Sequence, residues 1–211
     1  MATSTGGDPH LERAYSLSGP ADARALYDEW APTYDADLTG EAQGYVAPAV
    51  TADAVVAAAG PGGEILDAGC GGTGLVGVAL RERGATTVDG IDLSAGMLER
   101  ARATGAYRDL READLTAALE LPDDSYDVVV CVGTLTHAHV GPSALAEFTR
   151  VVRPGGYLIA TVLDDVWESG GYRAEVDRLA AADVFEAVSI EVAPYRSGQQ
   201  VDCRLLVLRV R

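Results

Sequence analysis

The stretch EILDAGCGGTG, residues 64–74, decides the fold of this chain. A short apolar run at 64–68 passes directly into a loop with glycines at 69, 71 and 74, and a helical pattern follows. This is the GxGxxG spacing in the context of strand, loop and helix, where backbone N–H groups and a helix N-terminus face a ligand. The sequence therefore predicts an α/β unit with a ligand-binding turn at Gly69, Gly71 and Gly74.

Downstream of this loop, short apolar runs alternate with helical segments. Runs such as VVVCV and YLIATVL are apolar on both faces, which is typical of parallel strands covered by helices on both sides. The last two runs lie too close together for a crossover helix, so we predict an antiparallel C-terminal edge strand. The prediction is a doubly wound, Rossmann-like α/β fold with seven mostly parallel strands at 64–68, 87–91, 107–113, 126–132, 156–163, 184–192 and 201–210.

Upstream of the first strand, residues 19–60 are predicted to form a helical lid. Tyr27, Trp30 and Tyr34 follow one another at spacings of three and four, which favours a helix, and Pro32 interrupts it. A second helix is predicted from 45 to 59, where it stops at the breakers GPGG. Residues 1–18 are expected to be flexible, which leaves 19–211 as a single domain.

Composition and charge exclude several classes of function. The 211 residues carry 32 acidic and 16 basic side chains, a formal net charge of −16, which argues against a nucleic-acid partner. The chain has no lysine, and therefore no Schiff-base or P-loop lysine chemistry. No apolar run approaches the ~18 residues of a membrane span. Three widely spaced cysteines and the lack of a secretory signal predict reduced thiols and a cytoplasmic location.

Three acidic residues follow three consecutive predicted strands. Asp67 would repel a pyrophosphate at the glycine loop, and so favours a ligand with a cationic or neutral group there. Asp92 can accept hydrogen bonds from both hydroxyls of a ribose, which suits a nicotinamide dinucleotide as well as an adenosyl amino acid. Asp114 suits the amino edge of an adenine, which a dinucleotide does not require.

The ordered motifs EILDAGCGGTGL, DGIDLS, EADL, YDVVVCVGTLTH and VVRPGGYLIA resemble those of class I S-adenosylmethionine-dependent methyltransferases. The flanking stretches LYDEWAPTYDADL and VGTLTHAHVGPSALAE resemble the small Williams-Beuren-region methyltransferase-like group and its bacterial relatives. The resemblance implies S-adenosyl-L-methionine as cofactor, with S-adenosyl-L-homocysteine as product. No Asn-Pro-Pro-Tyr or Asp-Pro-Pro-Tyr run follows the fourth predicted strand and no long insertion is present, which favours methyl transfer to oxygen or nitrogen of a small molecule. We expect a monomer or homodimer with no nucleic-acid or membrane partner.

The resemblance also implies roles for individual residues. Thr134, His137 and His139 would contact the substrate, and His137 is the candidate base, although a capping or packing role fits it equally well. No metal site is expected, and Met97 fits helix packing as well as a nucleoside contact. The residues implied in cofactor binding are Tyr27, Trp30, Tyr34, Asp67, Gly69, Cys70, Gly71, Gly74, Asp92, Leu93, Met97, Asp114, Leu115, Val132 and Gly133.

Two other functions remain open from the sequence. A nicotinamide-dependent oxidoreductase would use the same glycine loop, although Asp67 opposes its pyrophosphate and no Tyr-x-x-x-Lys pair exists. A catalytically silent protein that binds S-adenosylmethionine would keep the fold without turnover.

Overall fold

A computed structural model describes residues 5–72 and 74–211. Its strands are β1 Glu64–Ala68, β2 Thr87–Asp92, β3 Asp109–Glu112, β4 Tyr126–Leu135, β5 Val152–Leu163, β6 Phe185–Arg196 and β7 Val201–Val210. Its helices are α1 Pro9–Ala14, α2 Pro20–Trp30, α3 Tyr34–Thr39, α4 Ala47–Ala59, α5 Leu75–Glu82, α6 Ala95–Ala103, α7 Ala144–Val151 and α8 Tyr172–Ala181. Two short 3-10 turns, Asp164–Val166 and Ser197–Gln199, complete the described elements.

The strands form one sheet in the order β3-β2-β1-β4-β5-β7-β6. β1 pairs in parallel with both β2 and β4, so the strand order reverses direction beside β1. The doubly wound, seven-stranded prediction is confirmed, and the C-terminal strand is the antiparallel one, as expected. That strand inserts between β5 and β6, however, which leaves β6 as the outermost strand of the sheet.

The middle of the sheet is buried on both faces. Val128, Val129, Val130 and Cys131 of β4 are all completely buried, as the apolar run VVVCV predicts. Helices α4 and α7 both pack on β4 and β5. Helix α4 is therefore part of the main core and not of a lid. Within the predicted lid, 19–60, only α2 and α3 pack in a core of their own.

The first helices pack on one another in a separate small core. Leu11 and Ala14 of α1 are buried with Leu26 and Trp30 of α2. The stretch 1–18, which was expected to be flexible, thus contains a packed helix. Residues 1–4 lie outside the described residues. The domain boundary at residue 18 stays a prediction. None of the described helices has both the length and the apolar character needed to cross a membrane.

Candidate cofactor and substrate site

A cleft of about 900 Å³, measured to its open mouth, lies at the carboxyl ends of β1, β2 and β4. In open α/β sheets this is where ligands bind, beside the strand at which the order reverses. Thirteen of the predicted site residues line it, namely Tyr27, Tyr34, Gly69, Gly71, Asp92, Leu93, Met97, Asp114, Leu115, Val132, Gly133, Thr134 and His139. The five that do not are Trp30, Asp67, Cys70, Gly74 and His137.

The glycine loop after β1 is held in place by the next strand and helix. The Gly71 N–H donates to Asp92 Oδ2 at 2.8 Å, and the Gly72 N–H lies 3.0 Å from Met97 Sδ. Gly69 has a φ of +84°, and a side chain there would overlap Thr134. Gly72 also lines the cleft, although it was not selected from the sequence. Its position in the glycine-rich run GCGG, residues 69–72, could have indicated that it belongs to the site.

Asp92 lies in the cleft wall with both carboxylate oxygens engaged. Its Oδ1 accepts the Ser94 N–H at 2.8 Å, and its Oδ2 accepts the Gly71 N–H. Loss of solvent around the carboxylate raises the pKa of Asp92 to about 6, although these backbone N–H groups oppose the shift. The same side chain therefore shapes the loop and presents negative charge to a ligand.

Asp67 is completely buried beneath the loop instead of lining the cleft. Tyr107 donates its hydroxyl to Asp67 Oδ2 at 2.7 Å and accepts the Gly77 N–H at 3.1 Å. Asp67 Oδ1 has no hydrogen-bond partner among the described residues. The Tyr107 ring also occupies the space beside Gly74, which accounts for the absence of that glycine from the lining. Tyr107 was missed because its role depends on a contact 40 residues away in the chain.

Because Asp67 is buried, we expect the free energy of unfolding to depend on pH. Burial raises its pKa from 3.8 to about 7, while the Tyr107 hydrogen bond opposes the shift and Asp92 adds to it. The folded chain therefore binds more protons than the unfolded chain between these values, and the free energy of unfolding falls as pH rises. The total fall is at most about 4 kcal/mol. We expect Asp67→Asn to remove the Asp67 part of this slope, leaving the part due to the raised pKa of Asp92, and to raise Tm above pH 7, as measured by thermal unfolding from pH 4 to 8.

Asp127→Asn is the matched control, because its carboxylate has the opposite shift. The Glu64 N–H donates to Asp127 Oδ2 at 2.7 Å and, with Arg153, lowers the pKa of Asp127. That group stabilises the fold at neutral pH and loses its contribution as pH falls through its lowered pKa. Its substitution should lower Tm at pH 7, and an unchanged slope in Asp67→Asn would contradict the assignment for Asp67.

The aromatic side chains of the lid point in two directions. Tyr27 and Tyr34 line the cleft, and burial raises the pKa of each phenol well above its usual value, so both remain protonated donors. Trp30 faces away from the cleft, where its Nε1–H donates to Asp37 Oδ2 at 2.8 Å and its ring stacks on His10 at 4.9 Å. Trp30 thus packs the lid together and does not reach the cleft.

The two histidines after β4 diverge, and the one in the cleft is His139. Its Nδ1 lies 2.5 Å from the His137 carbonyl oxygen, to which it must donate, so Nε2 carries the lone pair. Tyr27 donates its hydroxyl to that Nε2 at 2.5 Å. Burial lowers the pKa of His139, which keeps the ring neutral. A neutral imidazole with one nitrogen fixed and one basic nitrogen at a ligand cleft can accept a proton.

His137, the base predicted from the sequence, lies outside the cleft lining. Its Nε2 pairs with Asp165 Oδ2 at 2.9 Å, and its ring packs on Tyr15 at 4.8 Å. Ala138 between the two histidines has a φ of +55°, a left-handed conformation that turns the chain sharply. That turn sends His137 toward the β5 end and His139 toward the cleft, which spacing in the sequence does not reveal.

The chain is similar in sequence to known methyltransferases. A family model described as methyltransferase domain matches residues 66–160. Human methyltransferase-like protein 27 is 34% identical over 200 residues, which cover 89% of this chain and 80% of that protein. The ubiquinone biosynthesis O-methyltransferase of Hahella chejuensis is 35% identical over 111 residues, 51% of this chain and 46% of that protein. The human relative means that similar chains are not confined to bacteria.

Solved structures show the same fold. One from Thermotoga maritima, described as an S-adenosylmethionine-dependent methyltransferase and possible histamine N-methyltransferase, superposes with a TM-score of 0.60 at 19% identity. The superposition covers 89% of this chain and 98% of that one.

Proposed function

This chain belongs to the family of S-adenosylmethionine-dependent methyltransferases, and on that premise we propose that it methylates an oxygen or nitrogen atom of a small molecule. The observation that carries the proposal is the enclosure of the cleft by the lid. Helix α2 lies across it, and the Tyr27 hydroxyl bonds to His139 on the opposite wall. A cleft closed in this way suits a small acceptor and leaves little room for a nucleic-acid strand.

The residues around the cleft fit this cofactor, which is a cation with a neutral nucleoside. Buried Asp67 Oδ1 lacks a hydrogen-bond partner among the described residues, and a buried carboxylate is stabilised by a nearby positive group. Asp67 with Gly69 and Gly71 would hold the methionine part, although Asp67 acts from beneath the loop. Asp92 with Leu93 would hold the ribose, and Asp114 with Leu115 the adenine.

When bound, S-adenosylmethionine would supply a methyl group on a positively charged sulfur, and a nucleophile that bonds to the methyl carbon displaces the sulfur as a neutral thioether. The residues of this chain align the acceptor and keep water out of the cleft, which is the main requirement of such a displacement. For an acceptor with a proton to lose, His139 Nε2 would take that proton in place of the hydrogen bond that the Tyr27 hydroxyl donates to it. The His137 carbonyl would hold the His139 ring in orientation through Nδ1.

Calorimetric titration tests the proposal, with S-adenosylmethionine, S-adenosylhomocysteine and NAD as ligands. We expect micromolar binding of the first two and none of NAD, followed by methyl release to at least one member of a pooled metabolite set. Binding of NAD alone would instead support a nicotinamide-dependent oxidoreductase. Binding of S-adenosylmethionine without methyl release to any pool would support a catalytically silent protein.

A further inference from the structure

Tyr107 lies just before β3, outside the lining of the cleft, and connects the end of β1 with helix α5. Its hydroxyl donates to Asp67 Oδ2 at 2.7 Å and accepts the Gly77 N–H at 3.1 Å. We propose that Tyr107 is a positioning residue for the cofactor: it holds one oxygen of Asp67 and leaves the other to accept the ammonium group of the methionine part. This inference rests on the proposed function and assigns a further residue to it.

Two glycines make room for the Tyr107 ring. Gly74 is the last glycine of the GxGxxG spacing, and a side chain there would come within 2.5 Å of the ring. Gly77 lies inside α5, where a side chain would overlap both the ring and its hydroxyl. A glycine inside a helix is less stable than an alanine, and the close approach of the ring accounts for this one. The two glycines thus fix where the Tyr107 hydroxyl lies.

The hydrogen bond from Tyr107 decides which oxygen of Asp67 remains for a ligand. The carboxylate is completely buried, its Oδ2 accepts the Tyr107 hydroxyl, and its Oδ1 has no hydrogen-bond partner among the described residues. A buried carboxylate oxygen without a donor is costly, and a cationic donor forms the strongest hydrogen bond with it. The ammonium group is the cationic donor that S-adenosylmethionine would bring, so Oδ1 is its acceptor.

The surroundings of Asp67 favour its neutral form, and Tyr107 opposes them. Burial raises the pKa of Asp67 to about 7, and the carboxylate of Asp92 adds to the rise. The thiols of Cys70 and Cys131 also lie near, and burial raises the pKa of each, so both stay uncharged. A hydrogen bond donated to the charged form favours that form. The Tyr107 hydroxyl therefore keeps Asp67 ionised, and able to pair with an ammonium group, down to a lower pH.

Titration calorimetry of S-adenosylhomocysteine from pH 6 to 9 tests the proposal in the wild type and in Tyr107→Phe. Phenylalanine fills the same space without the hydroxyl, so the pKa of Asp67 should rise further. We expect the variant to bind about tenfold more weakly at pH 6, and the difference to narrow toward pH 9. The raised pKa of Asp92 acts in both proteins and largely cancels in the ratio of the two Kd values. A ratio that is the same at every pH, as a packing role alone would give, overturns the inference.

Tyr126→Phe is the matched control variant. Tyr126 donates its hydroxyl to Asp89 Oδ2 at 3.0 Å, a second tyrosine–aspartate pair on this sheet, and neither residue lines the cleft. Its affinity for S-adenosylhomocysteine should match that of the wild type throughout. The matched ligand is 5′-methylthioadenosine, which keeps the nucleoside and the thioether and lacks the ammonium group. Its Kd should be the same in the wild type and in Tyr107→Phe, and a pH-dependent loss with this ligand would contradict the proposal.

Gly77→Ala provides a second variant that keeps the hydroxyl of Tyr107. The added methyl group would overlap the ring and displace the hydroxyl from Asp67, so we expect the same pH-dependent loss of affinity. Thermal unfolding without ligand is an independent measurement. In both variants the fall of Tm with rising pH should extend to higher pH than in the wild type, because the folded-state pKa of Asp67 is higher.

Two kinds of failure are distinguishable. Unchanged unfolding profiles in Tyr107→Phe and Gly77→Ala, with S-adenosylhomocysteine bound equally well by both variants and the wild type, overturn the inference and leave the proposed function standing. Absence of S-adenosylhomocysteine binding to the wild type at every pH overturns the proposed function, and the role of Tyr107 toward the cofactor with it.

Discussion

His139→Gln is expected to lower kcat by about 10²- to 10⁴-fold, the range for loss of a general base. The neutral ring has Nδ1 held by the His137 carbonyl, and its basic Nε2 accepts the Tyr27 hydroxyl at the cleft wall, where it could take a proton instead. Glutamine keeps similar bulk and hydrogen-bonding capacity but has no basic nitrogen. The measurement is methyl release from S-adenosylmethionine to the acceptor found in the metabolite screen, with kcat and KM determined separately. Cofactor affinity should be nearly unchanged.

His137→Gln is the matched variant for this prediction. The His137 ring pairs with Asp165 and lies outside the cleft lining, so we expect the kcat of this variant to remain close to that of the wild type. Tyr27→Phe should have a smaller effect than His139→Gln, since it removes the hydroxyl bonded to Nε2 and leaves the base. Full turnover in His139→Gln together with a large loss of turnover in His137→Gln would instead support His137 as the base.

Asp92→Ala is expected to weaken S-adenosylhomocysteine binding by about 100-fold or more. The carboxylate accepts the N–H groups of Gly71 and Ser94 and, in the proposed complex, the ribose hydroxyls. A hydrogen bond to a charged group contributes about 1.5–3 kcal/mol, and loss of two is therefore worth about 3–6 kcal/mol, or at least a hundredfold in Kd. Titration calorimetry at pH 8, where Asp92 is ionised, measures the change.

Asp109→Ala is the control for Asp92→Ala. Asp109 lies on the neighbouring strand β3, where it pairs with Arg111 at 2.5 Å, and it does not line the cleft. Its replacement should leave the affinity unchanged. Asp92→Asn should fall between the wild type and the alanine variant, because the amide keeps one oxygen acceptor. Wild-type affinity in Asp92→Ala would exclude this side chain from the cofactor site.

The fold and most of the cleft could be predicted because they depend on local spacing. Alternation of apolar runs with helical segments determines a parallel sheet, and the glycines at 69, 71 and 74 determine the turn after β1. The position of Asp92 at a strand end follows from the same reasoning, since parallel strands bring their carboxyl ends to one edge. Thirteen of the predicted residues line the cleft, and several of these were selected through the family resemblance and not through spacing alone.

Long-range packing decided the rest. Tyr107 covers Asp67 from 40 residues away, and the Tyr15 hydroxyl meets Arg196 across 181 residues. The sequence by itself determined which strand ends and which loop form the site, because backbone hydrogen bonding and side-chain periodicity act over a few residues. Only the tertiary structure decided that Asp67 is buried, that His139 and not His137 faces the cleft, and that Arg196 is buried beside Tyr15. The direction of a side chain depends on neighbours that the fold brings together from distant parts of the chain.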